Sequence, residues 1–538
     1  MRLSKIYSDG MVLQREKKNT IRGAFTEGEV VSVSMDDQAY PVSMNAATKE
    51  WRCEVPEQPA GGPHTIVISN GTVDVTISDV LFGDVFILGG QSNMELPVNW
   101  TTDFYYDEIR SANFSGIRHF EVPKNPIFGV LSETVDGGYW AKCDDKEVLN
   151  FSAIGFYFAK YKQLSDGVPV GLIQTAVGGA PVESLMGETQ LLESFQEIEK
   201  TMLGTGKCNQ DKSKGCLWCY REKLAKNHEM DYVNATVASD TARQDQWHQN
   251  LDAHDQGLLE DWMNPWPVDG EYLSFHMPST FYKTELESFR GSVWLQKIVN
   301  IPADWCDQEI VVRLGTLMDG DVTYVNGVKV GEHTFKYPPR FYVVQPGLFH
   351  EGENVITVRL IMDGNIGGAV EKCPYYLMQG DRRISLEGDW NMRIGYKTEG
   401  LEGPTFFNWA PTALYGSMLY PLHDVACKAI LFYQGESNCE YPQYYGKLLK
   451  DMVAEWRSLF GQVPFYMAEV TYWLGDGPVY ESDPFANVRK VQHEVVNDIP
   501  DAYLIPTYDL GMYNDLHPQN KKDVAIRFLE VFEKNEQK

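Results

Sequence analysis

Four groups of residues in this 538-residue chain carry the parts of an acyl-transfer site. Ser92 follows Gly89-Gly90-Gln91 at the end of the apolar run Asp84-Val85-Phe86-Ile87-Leu88. A hydroxyl presented on a tight glycine turn at the carboxyl end of a buried strand can attack a carbonyl if a base lies within reach. His517, in Asn514-Asp515-Leu516-His517-Pro518, can take that proton and return it to a leaving alcohol. Asp515, or Glu436 of Gln434-Gly435-Glu436-Ser437-Asn438, can hold the imidazole tautomer and stabilise its cation. Backbone amides of Ser92 and of Gly178 or Gly179, with the Asn438 side-chain amide, can form an oxyanion hole. Gln91 and Gln434, inside these motifs, are read as substrate contacts.

Each residue also has a plainer role. Ser92 can cap a helix, as can Ser437 and Asn438. His517 before a proline can open one. Glu436 can be half of an ion pair, and Gly178-Gly179 can serve close packing. The conjunction of all four groups at strand ends favours the site.

The elements that must position them follow an alternating pattern. Apolar runs at Asp84–Leu88, Val170–Thr175, Lys428–Tyr433, Pro464–Val470 and Ala502–Pro506 read as buried strands. Between or after them, Phe151–Leu164, Leu191–Leu203, Tyr441–Phe460, Phe485–Val496 and Asn520–Glu533 have helical spacing. Five strands alternating with helices predict an α/β domain with a parallel sheet, in the flavodoxin-like arrangement. Trp100–Tyr106 reads as irregular.

Residues 1–80 have short strand-like segments punctuated by Gly and Pro, an N-terminal β-sandwich. Residues 81–260 are the first part of the α/β domain and 400–538 the second. Residues 261–399 turn to β composition, with a hairpin signal at Asn326-Gly327, and read as a β-sandwich inserted at an exposed loop. Asp319–Gly331 and Gly352–Arg359 resemble the galactose-binding-like jelly rolls of glycosidases.

A chain of this length exceeds one core. Its hydrophobic content of 43% and aromatic content of 12% fit ordered structure. A formal charge of −28 argues against nucleic acid and anionic membranes as partners. No apolar segment reaches the roughly 20 residues of a membrane span. The first residues lack a secretion signal's apolar core. The chain as given is therefore expected in the cytoplasm, or in a secreted or periplasmic setting if a leader was trimmed. Nine cysteines are thinly spread. Cys216-Leu217-Trp218-Cys219, near Cys208, has zinc spacing without a second ligand pair, so ordinary cysteines are expected and no metal.

Gly90-Gln91-Ser92-Asn93-Met94, Gly178-Gly179-Ala180-Pro181-Val182-Glu183-Ser184, Gln434-Gly435-Glu436-Ser437-Asn438 and Asp515-Leu516-His517-Pro518 together resemble the sialate O-acetylesterases of the SGNH hydrolase superfamily. Ser8-Asp9-Gly10-Met11-Val12-Leu13-Gln14-Arg15 is similar to that family's opening motif. The resemblance implies a cofactor-free serine esterase that removes acetyl groups from sugar hydroxyls, with Ser92 as nucleophile and His517 as base. The general SGNH pattern puts an aspartate three residues before the histidine, where Asn514 stands. Asp515, two before, matches the sialate esterase branch, and related sugar acetylesterases use the glutamate of the Gln-Gly-Glu motif. Asp515 therefore ranks first as the acid and Glu436 second.

O-acetylated sialic acid is the leading substrate; acetylxylan or another plant polysaccharide, and a catalytically silent sugar-binding protein, are the alternatives. A sialate carboxylate calls for a cation near Ser92, for which Arg489, Lys124 and Arg118 are the candidates. The inserted sandwich can bind sugar, cover the site or join copies of the chain, and a homo-oligomer stays open.

Overall fold

Strand β1 (Asp74–Gly90) is the spine of the molecule, and every residue from Leu81 to Gly90 is buried. Its first half pairs antiparallel with Gly61–Ser69 in the N-terminal β region. From Asp84 onward it lies between two parallel neighbours, β4 (Val170–Gln174) and β5 (Ala429–Tyr433). The computed structural model containing it describes residues 1–203, 217–475, 482–513 and 515–537. Cys208, Cys216 and Asn514, with the side chain of Cys219, lie outside the described residues.

The opening motif docks onto the spine. Gln14 Oε1 accepts from the Val85 amide at 2.9 Å. Asp84, 1% exposed, is held by Arg15 at 2.8 Å and by Lys162 at 2.5 Å. Burial raises the Asp84 carboxyl, but these two cations hold it below its ordinary value. A buried carboxylate persists only when paired in this way.

The central sheet runs β3 (Trp140–Cys143), β2 (Phe114–Glu121), β4, β1, β5, β6 (Phe465–Ala468), β7 (Ala502–Ile505). All neighbours are parallel except the antiparallel edge strand β3. The five strands expected from sequence stand in the order 2-1-3-4-5, with the chain reversing its direction of growth beside β1. Open α/β sheets bind ligands at that switch point.

Two expectations are corrected. Strands β2 and β3 were not anticipated, because β2 hides Arg118 and His119 among its apolar residues. Arg118 is paired with Asp79 at 3.2 Å, while His119 meets Gln174 at 3.1 Å and stacks on Phe151. Trp100–Tyr106 is largely helical, a 3-10 turn, Val98–Thr101, leading into helix α1 (Thr102–Arg110), and is irregular only at Tyr105, where φ −135° and ψ 27° kink the helix.

Helices α2 (Ala153–Asp166) and α7 (Lys521–Glu536) pack in the core on one sheet face, and α3 (Glu188–Ile198), α5 (Pro442–Phe460) and α6 (Ala486–Val496) in the core on the other. Helix α4 (Met230–His254) runs on to the inserted sandwich, where its Asp252 pairs with Arg359. Phe158 of α2 and Phe532 of α7 both meet Phe86 of β1, at centroid distances of 4.8 and 5.4 Å. Among the described residues no helix is long and apolar enough to cross a membrane.

After α4 the chain builds a second core from a six-stranded and a four-stranded antiparallel sheet. Asn326-Gly327 turns between Gly320–Val325 and Val328–His333 with both φ angles positive, 49° and 82°, as a type I′ hairpin requires. This sandwich leans on α1: Arg313, fully buried, pairs with Asp103, and Arg110 reaches Glu309 at 3.2 Å.

Candidate active site

The turn that carries Ser92 admits only glycine at its pivot. Gly90 has φ +124°, and a Cβ there would lie 2.0 Å from the Tyr433 carbonyl oxygen. The chain turns at once into a single helical turn, Ser92–Glu95, leaving Ser92 partly exposed at the carboxyl end of β1. The loop after β7 brings His517 to it: Nε2 lies 2.8 Å from Ser92 Oγ. His517 is 6% exposed. Burial, aided by the Lys521 and Lys336 ammonium groups, pushes its imidazole down to about 3. A neutral ring accepts the serine proton through Nε2, which is the state a general base needs.

Neither candidate acid bonds the other ring nitrogen. Nδ1 of His517 is buried with no hydrogen-bond partner among the described residues. Asp515 Oδ1 instead accepts the backbone N–H of His517 at 2.8 Å, shaping the turn that carries the imidazole. Glu436 Oε1 accepts from Asn93 Nδ2 at 2.6 Å. Asn93 Oδ1 in turn accepts from Lys521 Nζ at 2.6 Å. Burial raises the Glu436 carboxyl and pushes Lys521 down to about 8, against the pull of Asp515 and Glu436. A buried carboxylate, amide and ammonium thus stand in a chain beside Ser92. Neither Asn93 nor Lys521 stands out by residue type alone, although Lys521 follows His517 by four positions, a spacing that places it on the helix entered just after the histidine.

Gly178 and Gly179 line the same cavity as Ser92. A Cβ on Gly178 would come within 3.8 Å of the Ser92 Cβ, and Gly179 has φ +72° with the Trp409 indole 2.4 Å from where a Cβ would sit. Trp409 Nε1 donates to the Gly178 carbonyl at 2.7 Å, so the indole braces this loop.

Two residues expected at the site serve the scaffold. Asn438 spends its amide on Glu183 at 2.8 Å and its carbonyl on Val182 and Gln434, at 3.0 and 2.6 Å. One of its two Nδ2 hydrogens is thereby committed to Glu183, and Asn438 is not among the described residues lining the cavity that holds Ser92. Gln434 is fully buried, donates to Asn438 and Ala180, and is not among the described residues lining the cavity. Gln91 does line it, while its Oε1 accepts from the amides of Gly435 and Ser437 at 3.4 and 3.2 Å.

The cavity is about 780 Å³. Its walls include Trp100, Trp409, Trp473 and Phe485 from the α/β part and Phe335 and Tyr337 from the inserted sandwich. Broad aromatic faces with a few placed polar groups are what small-molecule sites use. Of the three cations considered from sequence, Lys124 lines this cavity, bridging Glu95 and, at 2.8 Å, Glu121. Arg489 is held by Asp483 and Arg118 by Asp79, and neither faces it. Among the described residues no cluster of three or more His, Cys, Asp or Glu could hold a metal.

Residues 394–527 match the family described as carbohydrate esterase, sialic acid-specific acetylesterase. The sialate O-acetylesterase of Rattus norvegicus is 26% identical over 200 residues, 34% of this chain and 36% of that protein. The human sialate O-acetylesterase is 24% identical over 199 residues, 34% of this chain and 38% of that protein. The matched stretch thus spans little more than a third of these relatives' length. Among solved structures, a carbohydrate acetylesterase from Xanthomonas citri aligns with a TM-score of 0.54 at 18% identity, covering 98% of this chain and 73% of that one. That likeness is one of fold: a mixed α/β architecture.

Proposed function

We propose that this chain is a carbohydrate O-acetylesterase of the sialate O-acetylesterase type, a serine hydrolase on an SGNH-like α/β domain with the flavodoxin-like strand order. The division into residues 1–80, 81–260, 261–399 and 400–538 is part of the same reading. The observation that carries it is the 2.8 Å contact of Ser92 Oγ and His517 Nε2 at the carboxyl end of β1, inside an aromatic-walled cavity.

In the reaction so read, Ser92 Oγ attacks the acetyl carbonyl while its proton passes to His517 Nε2. The amides of Ser92 and Gly178 or Gly179 face the developing oxyanion. Collapse expels the sugar alkoxide, which takes the proton from Nε2. A water molecule, deprotonated by the same nitrogen, then hydrolyses the acetyl-serine. Asp515 holds the turn bearing the base, and its charge, with that of Glu436, favours the imidazolium formed in each step. The aromatic walls suit the apolar faces of a sugar ring, and O-acetylated sialic acid is the leading substrate, from the names of the relatives.

The test is acetate release from O-acetylated sialic acid, acetylxylan and an aryl acetate by the native chain and Ser92→Ala. Turnover by the native chain alone supports the reading. Equal turnover by both removes Ser92 as nucleophile, and no turnover on any substrate removes the esterase.

A further inference from the structure

The inserted sandwich does more than wall the cavity. Tyr337 stands edge-to-face on His517, with ring centroids 4.4 Å apart and planes at 89°. Histidine's outer torsion is broad, and Nδ1 of His517 has no hydrogen-bond partner among the described residues. An edge-to-face neighbour at that distance selects one ring plane for the imidazole.

Tyr337 sits in a segment between strands Val328–His333 and Phe341–Val344 of different sheets. Arg340, with no exposed surface, gathers this segment. Its Nη1 donates to the carbonyls of Lys336 and Pro338 at 2.8 and 2.7 Å, and its Nη2 to that of Phe335 at 3.1 Å. Nη2 also reaches the Asp319 carbonyl at 2.8 Å, and Nε the Asp321 carboxylate at 2.7 Å. The Arg340 carbonyl accepts from Arg313, whose guanidinium pairs with Asp103 on α1. One buried guanidinium thereby ties the segment to its own sandwich and, through Arg313, to the α/β domain.

We propose that Arg340 is a positioning residue for catalysis, acting through Tyr337 on the ring plane of His517. The proposal rests on the serine-esterase reading. It makes the sandwich part of the catalytic unit: loosening the segment frees the imidazole to swing off the Ser92 hydroxyl, while the acetyl pocket beside Ser92 keeps its shape.

The test uses the full chain with a small aryl acetate, whose leaving group makes little use of the sugar-binding walls. Misplacing a reacting group by about 1 Å costs on the order of 100-fold, so Arg340→Gln and Tyr337→Ala are each expected to lower kcat about 10- to 100-fold with KM nearly constant. Tyr337→Phe, which keeps the ring, is expected to restore most of what Tyr337→Ala loses. The double variant Arg340→Gln/Tyr337→Ala is expected to be no worse than Tyr337→Ala, since two residues acting in series are not additive. Should Arg340→Gln fail to fold, Pro338→Gly/Pro339→Gly loosens the segment while leaving the buried ion pair in place, and the same fall in kcat is expected. Native kcat in a folded Arg340→Gln or in the glycine variant, or losses that simply multiply in the double variant, would overturn the proposal. Activity persisting in Ser92→Ala would instead overturn the esterase reading on which it stands.

Discussion

Ser92 and His517 lie 425 positions apart, yet Oγ and Nε2 meet at 2.8 Å. The core beneath them explains why. Phe86 of β1 packs against Phe158 of α2 and Phe532 of α7, so the strand that ends at Ser92 and the helix that follows His517 share one apolar seat. The Ser92–His517 geometry is inherited from that packing.

Removing either partner separates chemistry from folding. His517→Gln is expected to lower kcat/KM for acetate release by about 10³-fold, within the range for a lost general base. Its melting temperature at pH 7 should stay close to native. A variant within tenfold of native activity would dismiss His517 as the base.

The pH dependence follows from burial. The free imidazole titrates near 6.5, and in the fold it is pushed to about 3 by burial, Lys521 and Lys336. Asp515 and Glu436 act on the Lys521 ammonium in turn, each favouring its charged form. The acid limb of kcat/KM is therefore expected well below pH 6. Lys521→Met removes a cation and leaves Glu436 less compensated, so the limb should move upward; a downward move would contradict this account. For stability the sign is the same. Between about pH 6.5 and 3 the unfolded chain binds a proton at His517 that the folded one does not, so this group costs stability as pH falls through that window. His517→Gln should flatten part of the decline in melting temperature between pH 7 and 4.

Lys124 is expected to discriminate charge. Hydrogen bonds to charged groups are worth about 1.5–3 kcal/mol, so Lys124→Met should lower kcat/KM on O-acetylated sialic acid by roughly 10- to 100-fold. Acetylxylan and an aryl acetate should change little by comparison. Equal losses on all three would mean that Lys124 only braces Glu95.

The two carboxylates are separable. Asp515→Ala removes both the bond to the His517 amide and a charge beside the imidazolium, and is expected to cost about 10²-fold in kcat; Asp515→Asn, which can keep the bond, should lose less. Glu436→Gln is expected to cost less than Asp515→Ala. The reverse order in steady-state kinetics would assign the orienting role to Glu436.

Gly179→Ala is expected to impair both fold and activity. The position has φ +72°, and a Cβ would lie 2.4 Å from the Trp409 indole. Restoring space with Trp409→Ala should recover stability better than activity, because the brace on the Gly178 carbonyl is then lost. Native-like melting and kinetics in Gly179→Ala alone would show that the loop yields freely.

The local parts of this molecule were legible in its residues. A continuous apolar run closed by Gly89-Gly90 specifies a buried strand and a turn at Ser92, because each preference is satisfied within a few neighbouring positions. The same holds for the Asn326-Gly327 hairpin and for the helical spacing of α2, α5 and α7. Partnerships across the fold were another matter. Asn438 and Gln434 carry groups that could serve a site, and only the position of Glu183, Val182 and Ala180 opposite them turns both side chains to the scaffold and away from the cavity lining. Arg118 and His119 disguised β2 because Asp79 and Gln174, the partners that let them be buried, lie elsewhere in the chain. Residue types and their local spacing singled out Ser92, His517 and the alternating elements. Tertiary structure alone decided that Tyr337 of the inserted sandwich meets His517, since burial, partner choice and ring contact depend on what long-range packing places opposite each side chain.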